Sequence, residues 1–201
     1  MKRFPYWHQT SEYSCGPSCL LMIFNHYNPS YGLTRNKEWE IWREASILTL
    51  LGCHPYGLAI VALKRGFKAT LVREKKSFWK HPEHLKNNEP LRYLIKNQEK
   101  KAKSLGLVEK IEREIDLPFL KNLLEKNIHP IVFMRTIKKN GTLGLSHYIV
   151  PIKLGKDFAV INDPYVAGNR KIPIKLFLKA WDKIEMPKWG MGKEILVVEK
   201  S

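Results

Sequence analysis

The apolar positions change period along the chain, and the change marks out the elements. From Cys15 the spacing is helical: Cys19, Leu20, Ile23 and Tyr27 fall on one stripe. Ser14 is the expected N-cap, Pro17 is tolerated in the first turn, and Asn28-Pro29 ends the run. A second helix is expected over 37–50, with Trp39, Trp42, Ser46 and Thr49 in register, and a third over about 56–65, stopped by Gly66. Phe67 to Val72 alternates like a strand. Charged, helix-favouring sequence follows. There Leu91, Leu94, Ile95, Ala102 and Leu105 are spaced for an amphipathic helix that starts at Asn88–Pro90, and Leu117, Leu120, Leu123 and Leu124 mark a shorter one.

The final third reads mostly as strand: Pro130–Arg135, Ser146–Leu154, Asp157–Ile161 and Glu194–Val198, with a helix over 173–183. Gly155-Lys156 suits a tight hairpin turn, and Pro151 argues for an edge position or a bulge. Helices first and antiparallel strands after them make an α+β pattern. One domain over 1–201 is expected, with residues of about 74–126 as a helical insertion; no Gly/Ser/Pro-rich tract sets them apart and no repeat is present.

Composition narrows the classes. A chain of 201 residues, 44% hydrophobic and 27% charged, suits an ordinary globular protein with a real core. No apolar run reaches the ~18–20 residues of a membrane span, and MKRFPYWHQT has no apolar stretch behind its two basic residues. A cytoplasmic location is the expectation. The formal charge of +16 invites a nucleic-acid reading, but each third of the chain carries the excess, no polybasic tail exists, and no RNP, zinc-finger or KH signature appears. A Lys-rich solvated surface is the simpler account, with attraction for an acidic partner or substrate as the functional alternative. The three cysteines, Cys15, Cys19 and Cys53, are too few and too oddly spaced for a disulfide framework or a structural zinc site. No cofactor and no metal are expected.

The candidate chemistry sits in QTSEYSCGPSCL, residues 9–20. A thiol at a helix N-terminus has its pKa lowered by the partial positive charge there, which suits Cys15 as a nucleophile. Gly16 is expected to leave the approach to the sulfur clear. The Cys15 N–H is unpaired within the helix and can donate to a developing oxyanion, and the Gln9 amide is a suitable second donor. A thiolate needs a base, and the base needs an orienter. Among seven histidines, His147 opens a strand after the Lys138–Gly144 loop and begins a hairpin whose returning strand ends in Asn162-Asp163-Pro164. Hairpin pairing puts Asp163 near His147, with Asn162 as the rival orienter. Cys19 reads as core, and Cys53 as packing with a site-lining role open. Trp39 and Trp42 read as core, and Arg43 with Glu44 as a local ion pair. His8 and His54 stay ambiguous between surface or structural and substrate-contacting roles. His26, His81, His84 and His129 read as structural or solvated.

The run Q-x5-C-G-P-S-C-L, then S-H-Y-I-V-P and V-I-N-D-P far downstream, resembles the C39 peptidases of the papain-like superfamily. Residues 38–67, with W-R-E-A before G-C-x-P-x-G-L-A, resemble a free-standing bacterial and archaeal branch, the C39-like peptidases. The resemblance covers about residues 5–73 and 128–165, and hardly touches 74–127. It implies a papain-like fold, N-terminal helices packed on an antiparallel sheet, and a Cys–His–Asp triad of Cys15, His147 and Asp163, with Gln9 in the oxyanion hole. The implied activity is thiol-dependent hydrolysis of peptide or isopeptide bonds through a thioester, on a peptide or peptide-like substrate. Typical C39 domains sit on transporters and cut double-glycine leader peptides. No transmembrane or ATPase segment is present here, so that activity is not carried over. Two alternatives stand beside hydrolysis: acyl transfer of the phytochelatin-synthase type, and a non-catalytic basic binding module. Oligomeric state is open, with Trp-rich helices leaving room for a dimer.

Overall fold

The computed structural model describes residues 3–47, 52–75, 88–182 and 193–200. Among them are six α-helices: α1 (Cys15–Tyr27), α2 (Arg35–Ala45), α3 (Pro55–Lys64), α4 (Glu89–Ser104), α5 (Leu117–Glu125) and α6 (Ile174–Asp182). Seven strands, β1 (Phe67–Glu74), β2 (Val108–Glu112), β3 (Ile131–Ile137), β4 (Leu143–Leu154), β5 (Phe158–Asp163), β6 (Ala167–Pro173) and β7 (Glu194–Lys200), form a single sheet. The strand order is β2-β1-β7-β3-β4-β5-β6. All neighbours are antiparallel except β1 and β2, which run parallel, so the architecture is α+β with a mixed sheet. No helix among the described residues is long and apolar enough to cross a membrane.

Helix α1 departs from the expected single stripe: every residue from Gly16 to Phe24 is buried. It lies against α2, α3, β4 and β3, and a helix enclosed on all sides needs apolar residues all round. Helix α2 is set one position back from the expected register. Its buried face is Glu38, Ile41 and Ala45, and Trp39 is 46% exposed. The reason is tertiary: the Glu38 carboxylate is drawn inward by hydrogen-bond donors from residues 7–18, which turns Trp39 outward. The helix stops at Ala45, where Ser46 forms an isolated bridge with Cys53; the expected continuation through 48–50 lies outside the described residues. Asn88, Thr34 and Asp116 cap α4, α2 and α5 through their side chains.

Two strands were not legible in the sequence. β2 lies inside the stretch read as helical, and β6 is the polar run AGNRKIP. Both are edge strands, where a half-solvated ladder needs little apolar patterning. The Pro151 signal resolves as a register shift between Pro151 and Lys153, in a strand flanked on both sides.

Between β1, β2, β7 and α3 runs a buried ionic network. Arg73 donates to Glu194 at 3.1 Å, to the Tyr56 hydroxyl at 2.8 Å and to Glu109 at 2.9 Å. Glu109 also receives Lys103 at 2.7 Å. Burial pushes the Glu194 carboxyl up, against the pull of Arg73. Removing one partner strands the other charge in the interior. Arg73→Met is expected to cost about 3–5 kcal/mol in urea-induced unfolding, and adding Glu194→Gln should recover part of that loss. An unchanged midpoint in the single variant would contradict this role for Arg73.

Candidate active site

Cys15 is the first residue of α1, and the helix end is built to leave donors free around it. Ser14 occupies the N-cap position, but its side chain makes no capping bond; its single hydroxyl hydrogen is donated to the Glu38 carboxylate, with Ser11 O 3.0 Å from the same oxygen. The first bond of the helix runs from Ser18 N to Ser14 O at 2.9 Å, and Pro17 has no N–H. That leaves the N–H groups of Cys15 and Gly16, which together with the backbone N–H of Tyr148 favour the thiolate form of Cys15. These donors act against a larger opposing effect. Burial pushes the Cys15 thiol up from its ordinary value, and the Asp163 charge adds to the rise. The expected lowering by the helix N-terminus is therefore reversed by desolvation.

Gly16 has a different role from the one expected. A Cβ there would sit 3.0 Å from Leu58 and 3.1 Å from Tyr148, so the missing side chain lets α1 close against α3 and β4. That contact brings the helix end to Tyr148, the residue after His147.

His147 and Asp163 meet across the β4–β5 hairpin. Val150 pairs with Asn162, so one step along the ladder Asp163 reaches the level of Ile149, diagonal to His147. His147 Nε2 lies 3.4 Å from Asp163 Oδ2, and both residues are buried. The other carboxylate oxygen accepts the N–H groups of Tyr165 at 3.0 Å and Val166 at 3.1 Å, which leaves Oδ2 on the imidazole side, near Nε2 but not hydrogen-bonded to it. Arg170 stands 3.9 Å away. Asn162, the rival orienter, is committed elsewhere: its amide donates to Pro5 O at 2.8 Å and accepts from Asn169 N at 2.7 Å. Tyr6 donates to Asp163 O at 3.2 Å, and burial, then the Asp163 charge, pushes its hydroxyl up to about 12.

Gln9 is buried beside this pair, its N–H bonded to Pro164 O at 2.9 Å. Its Nε2 donates one hydrogen to Ser11 O at 2.7 Å, and Oε1 makes no hydrogen bond among the described residues.

Cys19 is fully buried; Cys53 is half-buried, and its carbonyl accepts the Tyr148 hydroxyl at 3.2 Å. Glu44 pairs with Arg65 at 2.7 Å, not with Arg43. His8 contacts the Tyr6 hydroxyl at 3.1 Å, and His26 and His129 pack around Phe4. His81 and His84 lie outside the described residues. Among the described residues no group of three or more His, Cys, Asp or Glu is placed to hold a metal ion. Glu38 was missed. Its only sequence signal was a carboxylate at a position whose spacing, with Ile41 and Ala45, marks a buried face.

His54 caps α3, its Nδ1 accepting from Tyr56 N, and burial with the nearby Arg73 charge lowers its pKa to about 3. Burial similarly lowers His129 to about 4. Both stay neutral when folded at pH values where the unfolded chain, titrating at 6.5, takes up protons. Stability should therefore fall as pH drops from about 6.5 toward 4, and further toward 3. His54→Asn, which keeps a capping side chain, should flatten the dependence of the urea midpoint on pH; an equally steep profile would exclude His54 as its source.

A family model described as the Peptidase_C39 like family matches residues 4–177, a span that holds Gln9, Cys15, His147 and Asp163 and runs through the stretch where the sequence resemblance was faint. No match was found among curated proteins.

Proposed function

Since the chain belongs to the Peptidase_C39 like family, we propose that it is a papain-like cysteine peptidase that hydrolyses peptide or isopeptide bonds. The observation that carries this reading is a meeting of elements: the start of α1, which bears the thiol, packs through Gly16 against Tyr148, and the neighbouring His147 is held 3.4 Å from a buried carboxylate. The fold supports it, with an N-terminal helix bearing the thiol packed on antiparallel strands that bear the imidazole and the carboxylate. The domain reading proposed with it is one unit over 1–201, with residues of about 74–126 as an insertion.

In the proposed reaction His147 uses Nε2 toward Asp163, which leaves Nδ1 for the thiol. Because burial raises the Cys15 pKa, the proton has to be taken by the imidazole as the sulfur attacks. The sulfur adds to the substrate carbonyl, and the oxyanion that forms is held by the Cys15 N–H and by the second Nε2 hydrogen of Gln9. The imidazolium gives its proton to the leaving amine, and the acyl group remains on sulfur as a thioester. Water, deprotonated by His147, then releases a carboxylate. Exposed Tyr13, Leu145 and Tyr165 each stand two residues from Cys15, His147 or Asp163 and offer apolar contact to a polypeptide. The +16 charge favours acidic substrates.

Treatment of the intact chain with iodoacetamide should add one label, at Cys15, because Cys19 is sealed and burial pushes Cys53 well up. His147→Ala should slow that labelling by at least ~10-fold and peptide cleavage by ~10²–10⁴-fold. Equal labelling of all three thiols would overturn the assignment. Product masses from a peptide library decide the fate of the thioester: gain of water means hydrolysis, and a ligated product means acyl transfer.

A further inference from the structure

The Glu38 carboxylate is fully buried and accepts from five donors. Oε1 receives Thr10 N at 2.9 Å, Ser14 Oγ, and Ser18 Oγ at 3.2 Å; Oε2 receives Trp7 Nε1 at 2.8 Å and Thr10 Oγ1 at 2.8 Å. No salt bridge to Glu38 occurs among the described residues. A buried anion without a countercharge is costly unless its lone pairs are filled, and here neutral donors fill them. An amide could not substitute, because an indole N–H and a backbone N–H can only donate, and a glutamine would turn its own NH2 toward some of these donors.

All five donors lie between residues 7 and 18, the segment that carries Gln9 and Cys15. Trp7 and Thr10 bracket Gln9, and the Pro164 carbonyl holds its backbone N–H. Ser14 precedes Cys15, and its hydroxyl is drawn to Glu38, away from the helix end. We propose that Glu38 is a positioning residue that sets the Gln9 amide and the free N–H groups of α1 at their spacing around the sulfur, an inference that rests on the peptidase reading above. The gain has to be geometric. A negative charge near a forming oxyanion opposes it, so any benefit comes from preorganised donors and not from the charge itself.

The test separates chemistry that builds an oxyanion from chemistry that does not. p-Nitrophenyl acetate transfers its acetyl group to the sulfur through a tetrahedral oxyanion and releases p-nitrophenolate; iodoacetamide alkylates the same sulfur with loss of iodide and forms no oxyanion. In the full chain, Glu38→Gln should slow Cys15 acetylation by ~10–100-fold and leave alkylation within ~3-fold. Thr10→Val, a milder change, should shift acetylation in the same direction by less and guards against loss of folding in the first variant. In a chain that already carries Gln9→Ala, adding Glu38→Gln should slow acetylation by clearly less than it does in the wild-type chain, because the two changes share the Gln9 donor and only the N–H groups of α1 remain to be displaced. Multiplying effects, or equal loss with both probes, would overturn the proposal. A wild-type chain that is acetylated at Cys15 while Glu38→Gln keeps the same rate overturns this inference alone; a wild-type chain that is not acetylated at Cys15 overturns the peptidase reading and this inference with it.

Discussion

Helix α1 packs closely on strand β4 at a glycine, and the geometry of the candidate site follows from that contact. Gly16 lies where a Cβ would touch both Leu58 and Tyr148, so the start of the helix is pressed onto the strand. Cys15 then stands beside the Tyr148 stretch of β4, and the residue before Tyr148 in the strand is His147. A Cβ at position 16 would require Leu58 and Tyr148 to give way by a few tenths of an ångström. Tyr148 secures the same junction from its other end by donating to the Cys53 carbonyl.

Around this junction the protein buries carboxylates and satisfies each by a different device. Asp163 is held by the N–H groups of its own turn and faces an imidazole. Glu194 faces the Arg73 guanidinium. Glu38 is surrounded by neutral donors from the preceding loop and α1. Buried anions are costly, so each one rigidly specifies its neighbours. The segment before Cys15 has no regular secondary structure, yet it is pinned by Glu38 on one side and by the Pro164 carbonyl on the other. A loop held this way can carry precise chemistry without belonging to a helix or a strand.

The same burial that orders the site opposes its ionisation. The free N–H groups at the helix start and the Tyr148 N–H favour a thiolate, but desolvation outweighs them. A helix terminus contributes a fraction of a charge that falls off within a turn, whereas removing a thiolate from water affects the whole ion. That balance assigns the base a necessary part in the proposed reaction.

Much of this was readable along the chain. Helical spacing from Cys15, the hairpin signal at Gly155-Lys156 and the register it implies place His147 and Asp163 together, because antiparallel pairing is a local rule set by the turn. Helices α3 to α6 and strands β1, β3, β5 and β7 follow from periodicity and capping residues, which are also local. Other features depended on distant partners. β2 and β6 form because other strands offer edges, not because their own residues alternate. The face of α2 turns on what Glu38 meets, and those donors lie 20 to 31 positions away in sequence. The choice of Asp163 over Asn162 beside His147, the use of Gly16 for packing and the raised thiol pKa all arise where separate elements come into contact. Local sequence determines periodicity, caps and turns; burial and side-chain partnership exist only once the chain has closed on itself, and they decided the rest.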